Sequence, residues 1–521
     1  MPKLIIDGKE IEVSKGDTIL DAARKLGIDI PTLCFNEKYV QRDNQKNKPS
    51  TSCMVCIVKV KNRLIPSCAT MAEDGMEVES ETEEVHEARR TALELLLSDH
   101  LGDCIAPCKL TCPADMNIPL MIRQISSGRL HDAIATVKKD IALPAILGRI
   151  CPAPCENACR RGSHDSPVSI CLLKRYVADM DLSSEPNYMP AYKPSSGKRV
   201  AIVGAGPAGL SAAYYLLQEG ISCIIYDSHD NSGGSLRYDV PEDRLPKDVL
   251  DAEIGIISKL GAAFRMNTRI ENVNDELRNS YDAILIATGN DNSLLNGAKV
   301  DRALNTSLEG VFAAGNATGR KSKMAVRSVA DGKIAALSII QYISRMPVKV
   351  TKKPLNIRMG KLSDEEMKSF LANVSDSPRT LPSGNEIFSD SKTGFSESDA
   401  INEALRCLHC DCRKAENCKL RMYSEAYSAD PNRYKSDRRL FEQHFQHPDI
   451  VYEPGKCIAC GLCVQIASES KESLGLTFIG RGFDVRIGIP FNRSIKEGLQ
   501  KAAAECVEAC PTGAMSFKDE N

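Results

Sequence analysis

The 521-residue sequence contains neither a long apolar run nor a strong excess of charge of either sign. Its formal net charge is −2, so nothing indicates a surface for nucleic acid or for an acidic membrane. No stretch approaches the ~20 apolar residues that a membrane-spanning helix requires. The first residues also lack the charged, apolar and small-residue segments of a secretory leader. We therefore expect a cytoplasmic protein with no membrane span and no nucleic-acid partner.

Cysteine, in contrast, is abundant, with 21 residues arranged in clusters. Disulfide scaffolds of secreted proteins are short, whereas this chain is long enough for several domains. We therefore expect most of the thiols to ligate metal, chiefly as iron–sulfur clusters in a reducing cytosol.

The segment 199–210, RVAIVGAGPAGL, is the centre of the predicted organisation. A short apolar strand leads into G-x-G-x-x-G, formed by Gly204, Gly206 and Gly209, and a helix is expected over 208–219. A second strand over 222–226 ends at Asp227, where an acid can accept a hydrogen bond from a ribose hydroxyl. Strand, glycines, helix, strand and acid in this order predict a dinucleotide site; the alternative is a glycine-rich turn in some other α/β unit.

Residues 1–78 are predicted to form a small ferredoxin-like domain. Apolar runs flank Asp7-Gly8, which is typical of a hairpin, and Asp17 is predicted to cap a helix over 18–26. Four thiols suited to a [2Fe–2S] cluster follow: Cys34, Cys53, Cys56 and Cys68. The segment resembles the ferredoxin domain that begins the large iron–sulfur subunit of respiratory complex I and of multisubunit hydrogenases, with a polar insert at 41–50. A zinc knuckle is the alternative.

Residues 79–195 contain two groups of three cysteines. The segments 112–119 (CPADMNIP) and 148–161 (GRICPAPCENACRR) resemble the N-terminal domain of the glutamate synthase small subunit, which also occurs in dihydropyrimidine dehydrogenase. The resemblance implies a helical domain with two [4Fe–4S] clusters whose ligands interleave. By position, one cluster would take Cys104, Cys108 and Cys159, and the other Cys112, Cys151 and Cys155.

Each of these clusters then needs a fourth ligand. His100 is a candidate because it resembles a ligating histidine of the complex I and hydrogenase subunits, although an ordinary surface residue is an equal alternative. Cys171 is a candidate for the other cluster, or else a buried apolar thiol. Relatives use a Glu or Gln near positions 174 and 175, which this chain lacks.

Residues 196–345 resemble the FAD domain of the same family. The matching segments are 233–246, 281–289 and 310–316, the last ending in Asn316 where the family has Asp. The resemblance implies that FAD contacts Gly204, Gly206, Pro207, Ala208, Gly209, Asp227, Gly234, Ser235, Leu236, Arg244, Leu245, Ala287, Thr288, Gly289, Gly315, Asn316 and Ala325.

A complete NAD(P)-binding domain interrupts the FAD domain in the resembled families but is missing here. Only residues 290–310 occupy that position, which is too few for a βαβ unit, and the chain has no second G-x-G-x-x-G. We therefore predict that the flavin receives no hydride from a nicotinamide bound by its own chain. The flavin domain also has no C-x-x-C, which argues against disulfide reduction.

The last third of the chain adds two cysteine motifs. After a predicted linker at 346–400, the segment 401–435 carries Cys407, Cys410, Cys412 and Cys418, which suit another [4Fe–4S] cluster or, as an alternative, zinc. The segment 436–521 resembles a bacterial ferredoxin, and its predicted ligands are Cys457, Cys460, Cys463 and Cys510. Ala467 stands where a second cluster would need cysteine, so this segment is predicted to hold one cluster.

Together these observations predict a multidomain α+β and α/β fold. It would comprise a β-grasp [2Fe–2S] ferredoxin, a helical double-cluster domain, a Rossmann-like FAD domain and a C-terminal ferredoxin-like domain. The cofactors would be FAD, one [2Fe–2S] and three to four [4Fe–4S] clusters. No residue pattern indicates a substrate-converting catalytic group.

The predicted function is electron transfer in an anaerobic, NAD(P)-linked oxidoreductase, with electron bifurcation expected only by analogy. The predicted partners are an FMN- and NADH-binding diaphorase-type subunit, a small [2Fe–2S] subunit, soluble ferredoxin, and a catalytic hydrogenase or formate dehydrogenase subunit. The alternatives are a reductase resembling the glutamate synthase small subunit and a scaffold with a vestigial flavin.

Overall fold

A computed structural model describes residues 1–39, 52–350, 354–383, 393–435 and 439–518, so the predicted insert at 41–50 lies outside the described residues. The strands are β1 (Lys3–Ile6), β2 (Lys9–Glu12), β3 (Ile57–Val60), β4 (Arg63–Pro66), β5 (Met76–Glu79), β6 (Arg199–Val203), β7 (Ser222–Tyr226), β8 (Ala263–Arg265), β9 (Ala283–Ile286), β10 (Val311–Ala313), β11 (Ile450–Tyr452), β12 (Thr477–Ile479), β13 (Arg486–Gly488) and β14 (Met515–Phe517).

The helices are α1 (Ile19–Lys25), α2 (Glu83–Ser98), α3 (Pro107–Thr111), α4 (Ile118–Ser126), α5 (Leu130–Asp140), α6 (Pro144–Ile150), α7 (Pro154–Asn157), α8 (Ile170–Leu182), α9 (Pro207–Gln218), α10 (Ser235–Tyr238), α11 (Lys247–Lys259), α12 (Val273–Glu276), α13 (Ala325–Ile343), α14 (Asp364–Leu371), α15 (Glu397–Ala404), α16 (Lys419–Ala426), α17 (Leu462–Glu469), α18 (Ile495–Gly498) and α19 (Ala503–Ala509). Within the described ranges, none of the helices combines the length and apolar character that a membrane crossing requires.

The chain divides into two compact units. Unit 1 comprises Met1–Ile105, Lys353–Asn373 and Cys410–Asn521, and unit 2 comprises Ala106–Lys352 and Val374–His409. The helix α14 lies within the segment predicted to be a linker, where Ser363 caps its N-terminus in a capping box with Glu366.

Unit 1 begins with a five-stranded mixed sheet in the order β2-β1-β5-β3-β4. The predicted hairpin is present, because Asp7 and Gly8 both take positive φ between the antiparallel strands β1 and β2. Leu4 and Ile6 point into a core that also buries Ile19 and Leu20 of α1.

The helix α1 follows the prediction, but its predicted cap is wrong. The N-cap is Thr18, whose hydroxyl accepts a hydrogen bond from the Asp21 amide while the Asp21 carboxylate accepts one from the Thr18 amide. The Asp17 carboxylate instead accepts the Ser14 amide and pairs with Lys25. The hydroxyl one residue later has the better geometry because it can form a reciprocal box.

The C-terminal part of unit 1 is a small α/β structure. The antiparallel pair β11–β14 packs with α17 and α19 over a core that includes Ile450, Ile466 and Met515. Cys506, which is not among the predicted cluster ligands, is fully buried in this core.

Unit 2 is built on a parallel sheet in the order β10-β9-β6-β7-β8. The strand β6 and the helix α9 form the predicted strand–glycine–helix unit, and α13 packs against α9. A methyl group at Gly332 of α13 would lie 2.3 Å from the Ala208 carbonyl oxygen, so glycine permits the close approach of these helices. One core cluster runs from α4–α8 into this sheet.

A network of buried arginines joins residues 374–409 to the helical part of unit 2. The Arg161 guanidinium donates to the carbonyl oxygens of Ser375 (2.7 Å) and Arg406 (3.0 Å) and to the Asp165 carboxylate (2.9 Å). Arg406 also bonds to Asp165 and to the buried Glu403. Because buried charges are stable only when paired, this network holds α15 against the helical part of unit 2.

Candidate functional site: a dinucleotide cavity and clustered thiols

The carboxyl ends of the unit 2 strands surround a cavity of about 560 Å³. This is where α/β sheets bind nucleotides, because loops diverge there and helix N-termini point inward. Of the predicted FAD contacts, those lining the cavity are Gly204, Gly206, Pro207, Ala208, Asp227, Gly234, Ser235, Ala287, Thr288, Gly289, Gly315 and Asn316.

The three fingerprint glycines have distinct steric roles. A methyl group at Gly204 would lie 2.3 Å from the Ala287 carbonyl oxygen, and one at Gly209 would lie 2.0 Å from the Gly204 carbonyl oxygen. A methyl group at Gly206 would meet only the Gly234 Cα, at 3.9 Å, and would point into open space beside the cavity. Gly204 and Gly209 therefore serve packing, whereas Gly206 leaves room for a ligand at the N-terminus of α9.

Asp227 lies at the end of β7, as predicted. Its Oδ2 accepts the Ala205 amide at 2.7 Å, and its Oδ1 accepts the His229 amide at 3.0 Å and contacts His229 Nδ1 at 2.7 Å. The His229 ring stacks on Tyr238, with a centroid distance of 4.6 Å. The carboxylate is thus held in place by the glycine loop and by an aromatic pair that forms one wall of the cavity.

Asn316 also lines the cavity and is fixed by its own loop. Its Nδ2 donates to Asn290 Oδ1 (3.0 Å) and the Ser322 carbonyl (3.1 Å), and its Oδ1 accepts the Ser322 amide (3.0 Å).

Between β9 and β10 the chain passes through residues 287–310, which form a 3-10 turn at Ser293–Leu295.

Five predicted FAD contacts do not line the cavity: Gly209, Leu236, Arg244, Leu245 and Ala325. Leu236 and Leu245 are buried in the core beside it. The sequence analysis missed cavity-lining residues that follow β8, among them Thr268, Arg269 and Glu271. The position just after a parallel strand is the signal for such residues, but β8 has only three residues and was not predicted.

The cavity fits the adenosine and pyrophosphate portions of a dinucleotide. Its rim combines a glycine loop, the N-terminus of the 12-residue helix α9 and a carboxylate at the end of the neighbouring strand. These groups are the usual partners of pyrophosphate and ribose.

The thiols of the predicted [2Fe–2S] site come together within unit 1. Cys34 Sγ lies 3.3 Å from Cys53 Sγ, and all four cysteines are buried. Hydrogen bonds from Cys53 and Cys68 lower the pKa of Cys34 to about 3, and a hydrogen bond from Cys68 lowers that of Cys56 to about 7. The same hydrogen bonds raise the pKa of Cys53 and Cys68, so the four thiols are close enough to share protons.

The four predicted ligands of the C-terminal segment also face one another. Cys457, Cys460, Cys463 and Cys510 line a small apolar cavity with Ile487 and Met515. Burial raises the pKa of Cys457 to about 11. An apolar cavity disfavours free thiolates, whose negative charge bound iron would offset.

A third group of cysteines in unit 1 differs from the grouping expected from the sequence, in which Cys104 shares a cluster with Cys108 and Cys159. The Cys412 amide donates to the Cys104 carbonyl at 3.4 Å, and the electrostatic field of the Cys104 thiol acts on both Cys412 and Cys418. A methyl group at Gly513 would lie 2.2 Å from Cys412 Sγ. Cys104 is thus near two cysteines that follow it by about 300 residues in the sequence.

His100 lies in the same part of unit 1. Its Nδ1 is enclosed and makes no hydrogen bond to any residue that the structure describes, and burial together with the charge of Lys456 lowers the pKa of its ring to about 3. Lys456 is itself buried, pairs with Glu453 and is influenced by the Cys412 thiol. A neutral imidazole with an unpartnered nitrogen has the chemistry of a metal ligand.

The remaining predicted ligands lie in unit 2, except Cys410, which unit 1 contains. Cys112, Cys151 and Cys155 line one cavity, and Cys108, Cys159 and Cys407 are half-buried against the unit 2 core. Within the described ranges, no three Cys, His, Asp or Glu side chains are close enough to hold a single metal ion.

Three segments match known families. Residues 3–83 match a 2Fe-2S iron–sulfur cluster binding domain, and residues 73–186 match domain II of dihydropyrimidine dehydrogenase with its 4Fe-4S cluster. Residues 202–266 match an NAD(P)-binding Rossmann-like domain. These matches confirm the predicted fold class and are in accord with the predicted iron–sulfur and FAD cofactors.

Curated relatives are similar over part of the chain. The NADP(+)-dependent formate dehydrogenase subunit beta of Moorella thermoacetica is 40% identical over 207 residues, covering 35% of this chain and 29% of that protein. The NADPH-Fe(3+) oxidoreductase subunit beta of Geobacter sulfurreducens is 40% identical over 190 residues, covering 35% and 28%. The glutamate synthase [NADPH] small chain of Escherichia coli is 32% identical over 224 residues, covering 42% and 46%.

Among solved structures, an NAD+-reducing [NiFe]-hydrogenase aligns over 99% of this chain and 87% of its own, at 12% identity and a TM-score of 0.36, which is too weak for any conclusion. The chain spans less than half the length of each of the three curated relatives. Their names nevertheless confirm the predicted resemblance: this chain is similar to subunits of NAD(P)-linked iron–sulfur oxidoreductases, including the glutamate synthase small chain.

Proposed function

We propose that this chain is an electron-transfer subunit of an NAD(P)-linked oxidoreductase, carrying one FAD, one [2Fe–2S] and several [4Fe–4S] clusters. It would pass single electrons between a nicotinamide-oxidising partner, soluble ferredoxin and a terminal catalytic subunit. Formate dehydrogenase is the favoured terminal activity, because one of the most similar curated relatives is a formate dehydrogenase subunit; hydrogenase remains the second possibility. The clusters supply one-electron chemistry, and the FAD can exchange one or two electrons.

The observation that carries the proposal is a shared core in unit 1. Cys34 and Cys53 of the predicted [2Fe–2S] site, Cys418 and Cys460 belong to a single buried cluster of residues, together with leucines of α2. Three predicted redox sites therefore contribute cysteines to one buried apolar core. Electrons hop between centres that are near each other, whereas structural metal sites have no need of such proximity.

We infer that His100, Cys104, Cys412 and Cys418 of unit 1 hold one cluster, which adjoins this core through Cys418. The enclosed, unpartnered imidazole nitrogen and the backbone bond between Cys412 and Cys104 support this grouping. The experiment compares Cys104→Ala with Cys412→Ala in the reduced full-length chain by EPR. Loss of the same cluster signal in both variants supports the grouping, and loss of two different signals contradicts it.

The dinucleotide cavity supports a flavin that depends on a partner for reducing equivalents. The connection from β9 to β10 is short, and the sequence has one glycine fingerprint. Anaerobically purified chain should contain iron, acid-labile sulfide and FAD released by acid, and NADPH alone should leave the flavin oxidised. Zinc without sulfide would refute the proposal, and rapid stoichiometric bleaching by NADPH would refute the dependence on a partner.

A reductase of the glutamate synthase type is the second candidate, favoured by the similarity to the Escherichia coli small chain. Copurification from the native source distinguishes the two. A diaphorase and a terminal dehydrogenase or hydrogenase support the first proposal, whereas a glutamate synthase large subunit supports the second.

A further inference from the structure

Cys171 opens onto the same cavity as three predicted cluster ligands of unit 2. That cavity is lined by the four thiols of Cys112, Cys151, Cys155 and Cys171, and otherwise mainly by apolar side chains and by Lys174. Four convergent thiols in an apolar enclosure constitute a complete ligand set for a [4Fe–4S] cluster. The sequence alone left open whether Cys171 is a ligand or a buried apolar thiol.

Local structure directs Cys171 toward the cavity. It is the second residue of α8, and its amide donates to Glu156 Oε1 at 2.9 Å, which ties the start of α8 to α7. A methyl group at Gly148 of α6 would lie 2.8 Å from the Arg175 Cα, so α6 and α8 touch at a glycine just before Cys151. The Cys171 thiol lies 3.4 Å from the Gly148 carbonyl oxygen and 4.0 Å from the Cys151 carbonyl oxygen.

Another buried thiol of unit 2 shows what a structural cysteine looks like in this protein. Cys223 of β7 is 1% exposed, and its thiol contacts the carbonyl of Ile221 two residues earlier at 3.6 Å. Burial raises its pKa. The Cys171 thiol likewise contacts main-chain carbonyls, those of Leu147 and Gly148, but it also lines a cavity together with three other thiols.

Lys174 provides a second, independent observation. It lies one turn after Cys171 on the same face of α8, is only 5% exposed, and lines the same cavity. A buried ammonium is stable only beside negative charge. A four-thiolate cluster supplies that charge.

We propose that Cys171 is the fourth thiolate ligand of a [4Fe–4S] cluster held by Cys112, Cys151 and Cys155, with Lys174 as its buried counter-charge. When the cluster binds, one Fe–S bond forms at Cys171 and the thiol proton is released to solvent, with no change in oxidation state. The inference rests on the cluster content proposed above. It assigns to this chain an all-cysteine site whose charge is offset by the protein.

The test compares Cys171→Ala with the matched control Cys223→Ala in anaerobically prepared full-length chain. Iron and acid-labile sulfide are quantified, and EPR spectra are recorded after mild oxidation with ferricyanide. We expect the Cys171 variant to lose the iron of one cluster or to develop a [3Fe–4S] signal absent from the parent. The control should match the parent in both measurements.

Lys174→Met supplies a readout that does not require loss of the cluster. We expect unchanged iron content and a more negative midpoint potential for one EPR-detected cluster, because the positive charge that favours the reduced form is gone. Full iron with parental spectra in Cys171→Ala overturns the inference. If that variant does not fold, unchanged potentials in Lys174→Met overturn it instead. Absence of iron from the parent chain would refute the proposed function itself.

Discussion

Substitution of two fingerprint glycines, Gly209 and Gly206, by alanine separates packing from ligand binding in unit 2. The structure places a Gly209 methyl group 2.0 Å from the Gly204 carbonyl oxygen and 3.1 Å from Ile202 Cγ2. The first contact is with backbone and cannot be relieved by a rotamer change. Helix α9 must therefore shift away from β6, at a cost that overpacking measurements place at about 1–3 kcal/mol or more.

The helix propensity of alanine offsets only part of that cost. Replacing glycine by alanine in a helix gains about 1 kcal/mol. Because a backbone contact of 2.0 Å belongs to the upper end of the overpacking range, about 3 kcal/mol, the expected net loss for Gly209→Ala is about 2 kcal/mol. Gly255 of α11 is the matched control, because a methyl group there meets nothing within 4 Å. Gly255→Ala should be neutral or stabilising by up to about 1 kcal/mol.

Gly206→Ala should lower flavin content and leave the free energy of unfolding nearly unchanged. Its methyl group fits sterically and points into the open space beside the cavity, so the free energy of unfolding should stay within about 0.5 kcal/mol of the parent. Flavin content should fall sharply, because the added methyl group occupies the space in which a pyrophosphate approaches the backbone.

The assay is thermal unfolding of flavin-stripped protein, followed by measurement of flavin uptake. Stripping removes the stabilisation that bound ligand would add. For a unit of this size a 2 kcal/mol loss lowers the Tm by about 3–4 °C. The reasoning is refuted if Gly209→Ala melts with the parent, or if Gly206→Ala takes up flavin as the parent does.

Three further predictions concern stability. Burial raises the pKa of Glu253 in the folded state to about 7, so the folded state holds the Glu253 proton more tightly than the unfolded state does. The free energy of unfolding should therefore fall by about 3 kcal/mol between pH 4.5 and 7. Urea unfolding of Glu253→Gln should lack this pH dependence, and an identical pH dependence would contradict the assignment. Against the effect of burial, hydrogen bonds from Arg161 and Arg406 lower the pKa of Asp165. Because solvent screens this exposed residue, Asp165→Asn should cost about 1 kcal/mol in denaturant unfolding at pH 7, with the difference from the parent shrinking as the pH falls below 3.8; a constant difference would argue against the charge network. Thr18→Ala should destabilise the N-terminal sheet domain by about 1 kcal/mol in the same assay, and no loss would mean that the capping box contributes nothing.

Local rules were sufficient where neighbouring residues decide the structure. The glycine fingerprint predicted the β6–α9–β7 unit, and the Asp7-Gly8 dipeptide predicted the first hairpin. Both depend on the conformations that a few consecutive residues can adopt. The cap of α1 was misassigned by one residue, because Asp17 and Thr18 are both good caps and only the reciprocal bond with Asp21 distinguishes them.

The sequence by itself thus determined the kinds of chemistry in this protein: a dinucleotide loop and many thiols in cluster-forming motifs. Only the tertiary structure decided which thiols meet, because Cys104 approaches Cys412 and Cys418 across some 300 residues and Cys171 joins a cavity that three other thiols line. The spacing of cysteines within a motif reflects the geometry of ligands that are neighbours in the sequence. The grouping of distant ligands depends on how the chain returns to the same core, which no local pattern encodes.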